Sequence, residues 1–150
     1  MPSVEVELHI PSPASECWAA VVDVENYALT MDSVQSVTII EQTGPQTRST
    51  AWSVRLKGAV LEWVEAERID HRALRFDFHQ LSGDLAHFTG HWAVRPADGD
   101  SGSSLVSLNV EFEIGIPLLA EMLNPVAAKA LRENAQQMLA ALGQRLATAD

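Results

Sequence analysis

Cysteine is almost absent from this sequence of 150 residues, in which Cys17 stands alone. A single thiol excludes an intramolecular disulfide and any metal cage built from several cysteines. Long apolar runs are also missing, because no stretch approaches the ~20 apolar residues that cross a bilayer. The first residues alternate apolar side chains with glutamate and lack the basic and then apolar order of an export signal. These absences predict a cytoplasmic protein without a membrane span.

Basic residues are scarce as well. Ten Lys and Arg stand against twenty Asp and Glu, which gives a formal net charge of −10. Nucleic-acid binding depends on positive charge that neutralises phosphates, and docking on anionic lipid head groups depends on it too. The composition therefore argues against nucleic acid and against charged membrane surfaces as partners.

Apolar residues, by contrast, make up 47% of the chain. A chain of this length buries roughly 70% of the surface that its unfolded form exposes, which is enough for a core without metal or disulfide support. No internal repeat, low-complexity tract or long linker divides it. We therefore expect one domain over residues 1–150.

The first third of the sequence predicts a strand followed by two short helices. Val4, Val6, Leu8 and Ile10 alternate with charged residues, which is typical of a half-buried strand. Ser12 before Pro13 predicts a helix N-cap, and helical spacing continues to about Val24. Asp23 to Asp32 reads as a break with a short helical turn that carries Tyr27, and strand character resumes over Val34 to Glu41.

Turn signals then divide residues 48–112 into successive antiparallel strands with apolar residues at alternate positions. The turns are expected at Thr43-Gly44-Pro45, Lys57-Gly58, Asp70-His71-Arg72, Ser82-Gly83-Asp84 and Asp98 to Gly102. After Gly115-Ile116-Pro117 the pattern becomes helical, and Asn124-Pro125 predicts the start of a long helix. Its apolar stripe comprises Leu131, Ala135, Met138, Leu142 and Leu146. The order predicts an α+β domain in which a curved antiparallel sheet of about seven strands wraps around a long C-terminal helix.

Four segments of the sequence resemble those of a known protein family. They are Ile10-Pro11-Ser12-Pro13-Ala14 with Trp18, Asp23-Val24-Glu25-Asn26-Tyr27, the Trp52 strand with Leu61-Glu62-Trp63, and Phe112-Glu113-Ile114-Gly115-Ile116-Pro117. Over essentially the whole chain the sequence resembles the START-like (SRPBCC) superfamily with its helix-grip, Bet v 1-like fold. The branch that it resembles is the polyketide cyclase/dehydrase and coenzyme Q-binding branch.

The resemblance implies a hydrophobic, aromatic or polyketide-like ligand held between the sheet and the terminal helix. One hypothesis is a cofactor-free polyketide cyclase/aromatase that receives its substrate from an acyl-carrier protein. A second is a non-catalytic lipid or quinone carrier of the coenzyme Q-binding type. A third is an interaction module similar to the ribosome-associated members of the branch, which the acidic charge disfavours. Fold likeness alone does not choose between them.

Strand alternation places a set of large aromatic residues on the concave face of the sheet. Large aromatic faces stack on flat ligands, and indole N–H groups orient them. Gly90 lies in the same phase, where it either leaves room for a ligand or relieves a bend. The expected ligand contacts are Tyr27, Trp52, Trp63, Phe76, Phe78, Phe88 and Trp92.

Polar residues in the inward phase are few: Thr50, Glu65, Glu67 and Gln80, with Arg48 near a strand end. Paired carboxyls in a dry pocket can act as acid and base, because like charges drive their pKa values apart. The favoured interpretation of Glu65 and Glu67 is nevertheless that the strand leaves the sheet there and faces water.

Arg55 and Gln80 are the candidate catalytic residues. Aromatase/cyclases of the superfamily place an Arg in the pocket with Ser and Trp on one strand, and Trp52-Ser53-Val54-Arg55 has these residue types. Trp52 is out of phase with Arg55, so only one of the two faces the pocket unless a bulge intervenes. An inward Arg or Gln would stabilise the enolate that forms before aldol closure.

Other chemistries find little support. His79, His87 and His91 fall opposite the aromatic face, so no metal site is expected. Ser82, His79 and Asp84 are neighbours in sequence but lack the Gly-x-Ser-x-Gly turn that exposes a nucleophile. Cys17 is expected to be an inert buried thiol.

Overall fold

A curved antiparallel sheet and a long C-terminal helix make up most of the computed structural model, which describes residues 3–56, 59–97, 100–114 and 117–148. The elements in chain order are β1 (Ser3–Ile10), α1 (Ala14–Val22), a 3-10 turn (Val24–Asn26), α2 (Tyr27–Thr30), β2 (Val34–Gln42), β3 (Thr47–Leu56), β4 (Ala59–Asp70), β5 (Arg75–Gly83), β6 (Leu85–Ala97), β7 (Asp100–Ile114) and α3 (Pro117–Thr148). The predicted α+β architecture and the order of elements are confirmed.

The strand order is β1-β7-β6-β5-β4-β3-β2. Strands β2 to β7 follow each other as a meander, and α1 and α2 carry the chain from β1 at one edge to β2 at the other. Register shifts interrupt the β2–β3, β4–β5 and β6–β7 ladders. Bulges of this kind bend strands and increase their twist, so they curve the sheet around one concave face.

Helix α3 packs against this concave face and contacts β1, β7 and β3. Four of the five residues of its predicted apolar stripe, Ala135, Met138, Leu142 and Leu146, are buried. The side chain of Leu131 lies outside the described residues. Among the helices of the described ranges, none has the length and apolar character that crossing a bilayer requires.

The start of α1 differs from the prediction. Pro13, with extended backbone, precedes the first helical residue, and no side chain caps the helix. Ser12 is buried, and its carbonyl accepts a hydrogen bond from Ser104 Oγ at 2.7 Å. The carbonyl of Ser12 therefore ties the β1–α1 connection to β7.

Cys17 is fully buried, and burial raises the pKa of its thiol, as expected of an inert cysteine.

Helix α3 starts earlier than the sequence predicts. It begins at Pro117, so Asn124-Pro125 lies within the helix and does not open it. A proline removes one backbone hydrogen bond, and the helix-forming residues on both sides outweigh that loss here.

The turns agree with the predicted signals where the structure describes them. The Asp70 carboxylate accepts hydrogen bonds from the backbone N–H groups of Arg72 and Ala73, both at 3.0 Å, and these bonds lower its pKa. Thr43 N–H donates to the Thr47 carbonyl at 3.0 Å across the β2–β3 turn. The Lys57-Gly58 turn and the Asp98-Gly99 part of the last turn signal lie outside the described residues.

Two glycines provide a test of this packing. A Cβ at Gly90 would lie 2.0 Å from the Asn109 carbonyl oxygen and 2.8 Å from Phe78 Cζ, whereas a Cβ at Gly143 would make ordinary contacts of 3.6 Å or more. Gly90→Ala should therefore destabilise the fold by about 2 kcal/mol or more. Gly143→Ala should stabilise it by roughly 0.5–1 kcal/mol through helix propensity. Urea denaturation measures both, and equal midpoints for the two variants would contradict the described packing.

Candidate functional site

A cavity of about 60 Å³ lies between the concave face of the sheet and α3. Its walls are almost entirely apolar. They comprise Trp52, Val54, Leu61, Trp63, Phe78, Leu85, Phe88, Trp92, Leu108, Val110, Ala135 and Met138, together with the carboxyl of Glu65. Five of the six aromatic residues predicted from strand phase therefore line one space.

The aromatic wall is ordered by ring contacts. Trp52 and Trp63 are directly opposite each other on β3 and β4, and their rings stack with centroids 5.8 Å apart and planes 4° from parallel. Phe88 packs against Trp63 at 4.9 Å and against Phe78 at 5.5 Å. The wall thus presents broad, flat apolar surfaces to the cavity.

Tyr27 and Phe76 do not line the cavity, so the prediction that they contact a ligand there is wrong for this structure. Both are fully buried behind the wall. Tyr27 packs edge-on against Trp52 and Trp92, and its hydroxyl donates to the Val21 carbonyl. Phe76 stacks on Trp92. Alternation identified the correct face of the sheet but not the depth at which each ring lies.

Gly90 is in the inward phase, as predicted, but the space that it leaves is already filled. The Phe78 ring and the Asn109 carbonyl occupy the position of the missing side chain. The glycine therefore allows close approach of neighbouring groups and adds no room for a ligand.

A buried polar cluster extends from the cavity wall toward α1. Arg48 Nε donates to Glu67 Oε1 at 2.6 Å, and Arg48 Nη2 donates to the Val22 carbonyl at 3.0 Å. Thr50 Oγ1 donates to Glu67 Oε2 at 2.9 Å and accepts from Trp52 Nε1 at 2.7 Å. These bonds lock the guanidinium, the carboxylate and the Trp52 indole into one arrangement.

Glu65 is next to this cluster and faces the cavity. Its Oε1 accepts a hydrogen bond from Trp63 Nε1 at 2.7 Å. Burial, which removes water from the carboxyl, raises its pKa well above the usual value of 4.5; the hydrogen bond and charge of Glu67 raise it further. Arg48 supplies one positive charge for two carboxyl groups, so Glu65 holds a proton while Glu67 pairs with the guanidinium.

The favoured sequence interpretation, in which Glu65 and Glu67 mark a strand leaving the sheet for water, is wrong. Both residues are only 2% exposed. Arg48 stands opposite Glu67, and Thr50 stands opposite Glu65, across the β3–β4 ladder. Arg48 and Thr50 both donate to Glu67, and Glu65 accepts from Trp63 on its own strand, so both carboxyls have partners inside the fold. The sequence of β4 alone does not show the partners on β3.

The two candidate catalytic residues lie away from the cavity walls. Trp52 is the residue that faces inward, and Arg55 is exposed on the outer side, where its Nε lies 2.7 Å from the Gln35 amide. Gln80 Nε2 donates to the Leu85 carbonyl at 2.6 Å, which closes the β5–β6 turn. Neither placement supports the predicted contact with a ligand carbonyl.

The histidines and the hydroxyl groups do not converge on a reactive site. His91 pairs with Asn109 at 3.0 Å, and burial, with Arg75 nearby, lowers its pKa; His79 is exposed. Within the described ranges, no group of three or more His, Cys, Asp or Glu side chains is arranged to hold a metal ion. Ser82, near the end of β5, and Asp84, directly after that strand, are both exposed.

Several lining residues were not predicted as ligand contacts: Val54, Leu61, Leu85, Leu108, Val110, Ala135 and Met138. Alternation along the strands indicates that Val54, Leu61, Leu108 and Val110 face inward. Helical periodicity indicates the same for Ala135 and Met138. Small aliphatic residues give no sign of whether they fill a core or border a cavity.

The sequence matches the family described as polyketide cyclase / dehydrase and lipid transport over residues 1–147. No curated protein sequence matches the chain significantly. Among solved structures, TTHA0849 from Thermus thermophilus is 26% identical, with a TM-score of 0.90 and 99% of each chain covered.

Two further structures share the fold. The Zhui aromatase/cyclase from Streptomyces sp. R1128 is 19% identical, with a TM-score of 0.81, over 96% of this chain and 92% of that one. A START superfamily protein from Mycobacterium smegmatis is 16% identical, with a TM-score of 0.82, over 99% of both chains. The helix-grip fold expected from the sequence is confirmed.

The two buried carboxyls should respond oppositely to amide substitution. Because the pKa of Glu65 is raised in the folded protein, the unfolded chain loses this proton above pH ~4.5 while the native state keeps it, so Glu65 reduces stability as pH rises. Glu65→Gln removes that penalty, and its advantage over wild type should grow from pH 5 to pH 8. Glu67→Gln leaves Arg48 without its counter-ion and should cost about 3–5 kcal/mol. Urea denaturation across this pH range checks both, and a Glu65→Gln advantage that does not change with pH would contradict the assigned proton.

Proposed function

The chain belongs to the polyketide cyclase / dehydrase and lipid transport family, and from that membership we propose that its cavity binds a hydrophobic, aromatic or polyketide-like molecule and directs the cyclisation of such a molecule. The observation that carries the proposal is the cavity wall, in which five aromatic rings surround one space between the sheet and α3. Flat apolar rings are favourable partners for the faces of Trp52 and Trp63.

Cyclisation of a flexible chain requires that the chain is held in one conformer, with the reacting carbons close together. The stacked indoles on one side and Met138 with Ala135 on the other restrict a guest to a narrow, flat shape. The proposed reaction is an aldol closure followed by dehydration, on a chain delivered by an acyl-carrier protein. The main contribution of the protein is then the shape of the space.

The cavity must open to admit such a molecule. Its volume of about 60 Å³ is far below the roughly 300–1,000 Å³ of pockets that hold drug-sized ligands. Met138 is the adaptable element of the wall, because an unbranched thioether side chain changes rotamer at low cost. We therefore propose that ligand binding displaces Met138 and the α3 segment that carries it.

A non-catalytic carrier of a lipid or quinone is the alternative function. The low polarity of the wall favours it: in the part of the lining that the structure describes, Glu65 is the only residue with an ionisable side chain. Arg55 and Gln80 are engaged elsewhere, so neither is positioned to stabilise an enolate. A carrier requires a cavity of suitable shape and no reactive group.

Filling the cavity should abolish binding without unfolding the protein. Ala135→Leu projects a larger side chain into the space, whereas Ala140→Leu makes the same change at an exposed position of the same helix. We expect Ala135→Leu to weaken binding of a planar apolar probe such as anthracene by about tenfold or more, and Ala140→Leu to leave it unchanged. Quenching of tryptophan fluorescence measures the affinity. Equal affinities of the two variants would place the ligand outside this cavity.

Product analysis separates the cyclase from the carrier. The protein is added to a ketosynthase and acyl-carrier system that releases a poly-β-ketone, and the products are compared with those formed spontaneously. A cyclase should shift the ratio toward one ring pattern, and Ala135→Leu should remove the shift while Ala140→Leu retains it. If wild type leaves the spontaneous ratio unchanged while still binding the apolar probe, the carrier function replaces the cyclase.

A further inference from the structure

The proposed function makes no use of Glu65, the one ionisable group among the described residues of the cavity wall. Glu65 is 2% exposed and shares the cavity with Trp52, Trp63 and Phe88. Burying a carboxyl group in such apolar surroundings costs free energy unless hydrogen bonds replace those that it made with water. The groups next to Glu65 determine which hydrogen bonds it can make.

Three titratable groups surround Glu65. Arg48 and Glu67, on β3 and β4, form an ion pair with one another, and the neutral phenol of Tyr27 lies beyond Trp52 on α2. On the opposite side, α3 contributes the uncharged Ala135 and Met138 to the wall. No free positive charge therefore faces Glu65 from these residues, and its carboxyl keeps its proton.

The hydrogen bonds of Glu65 indicate which group receives its proton. Trp63 Nε1 donates to Glu65 Oε1, and the carboxyl of Glu65 also interacts with that of Glu67. A protonated Glu65 whose Oε1 accepts from the indole would donate from its other oxygen to Glu67. Glu67 does not depend on this bond, because its Oε1 accepts from Arg48 and its Oε2 accepts from Thr50. The Glu65 hydroxyl can therefore turn from Glu67 to an acceptor in the cavity, and both oxygens of Glu67 remain satisfied.

We propose that Glu65 is the recognition residue of the cavity, which donates a hydrogen bond from its protonated carboxyl to an oxygen of a neutral ligand and rejects ligands that carry a carboxylate. The inference rests on the proposed function in one respect, that the ligand occupies this cavity. A ligand oxygen that enters the dry cavity loses its hydrogen bonds to water. The Glu65 hydroxyl replaces one of them. A carboxylate ligand would meet the Glu67 charge without a cation of its own, which is costly in a dry site.

Three small probes that differ in one substituent test this recognition: ethylbenzene, acetophenone and benzoate. Titration of ¹⁵N-labelled protein, followed by the indole N–H signals in NMR spectra, gives each dissociation constant. The signal of Trp63 is identified by its shift in Glu65→Leu, since its N–H donates to Glu65. Binding of ethylbenzene reports on the cavity alone, and the acetophenone-to-ethylbenzene affinity ratio reports on Glu65.

Two variants separate the contribution of the Glu65 hydrogen bond to ligand affinity from that of the shape of the cavity. In Glu65→Leu the affinity ratio should fall about tenfold from its wild-type value at pH 6, with ethylbenzene binding retained, as expected for one lost hydrogen bond in a dry site. Glu65→Gln keeps an N–H donor, so it should keep the ratio within about threefold. The wild-type ratio should fall as pH rises through the raised pKa of Glu65, and the Glu65→Gln ratio should stay constant with pH.

The outcomes distinguish the two proposals. If ethylbenzene binds but the ratio is the same in wild type and Glu65→Leu, the recognition role is overturned and the apolar cavity stands. Benzoate binding to wild type as tightly as acetophenone would overturn the rejection of carboxylates. If none of the three probes binds, both the proposed function and the recognition role fail. A pH-dependent ratio in wild type that is absent in Glu65→Gln supports the recognition role.

Discussion

The ion pair between Arg48 and Glu67 is the interaction on which the rest of the site depends. Both groups are buried, so each requires the other, and the 2.6 Å contact between Nε and Oε1 joins β3 to β4 in the interior of the sheet. The same guanidinium reaches the Val22 carbonyl at the end of α1. Because Thr50 connects the carboxylate to the Trp52 indole, the position of one wall of the cavity is set by charge as well as by packing.

Glu65 owes its state to that pair. Arg48 neutralises only one carboxylate, and Glu67 is the one that it contacts, so the second acid remains uncharged at the surface of the cavity. A fold selected only for stability would place an apolar residue here, because a neutral acid still loses hydration on burial. Among the described residues, the lining of the cavity thus combines an almost entirely apolar wall with the carboxyl of Glu65.

The sequence predicted the fold well because the fold depends on local patterns. Alternation along β3 to β7 identified the concave face, and Trp52, Trp63, Phe78, Phe88 and Trp92 all line the cavity as expected. Depth was not predictable: Phe76 obeys the same alternation but lies behind the wall, as does Tyr27 on α2. The burial of Glu65 and Glu67 was not predictable either, since it depends on Arg48 and Thr50, which pair with them across β3 and β4. The predicted helix boundaries at Ser12 and Asn124 were wrong. The Ser12 carbonyl is engaged by Ser104 of β7, and helix-forming residues on both sides of Asn124-Pro125 outweigh the loss at the proline.

Glu65 and Glu67, for which the favoured sequence interpretation was wrong, define the polar part of the site. A charged pair on the apolar face of a strand contradicts binary patterning, and proteins retain such contradictions where function requires them. In this protein the contradiction is confined to a few neighbouring positions on β3 and β4, and the stacked Trp52 and Trp63 rings continue the same pair of strands. Strands β3 and β4 therefore supply both the stacking surface and the acid, whereas α3 supplies the opposite wall. Under the proposed function, this division between a fixed face of the sheet and an adaptable helix would let a cavity of about 60 Å³ accept a guest larger than itself while β3 and β4 stay in place.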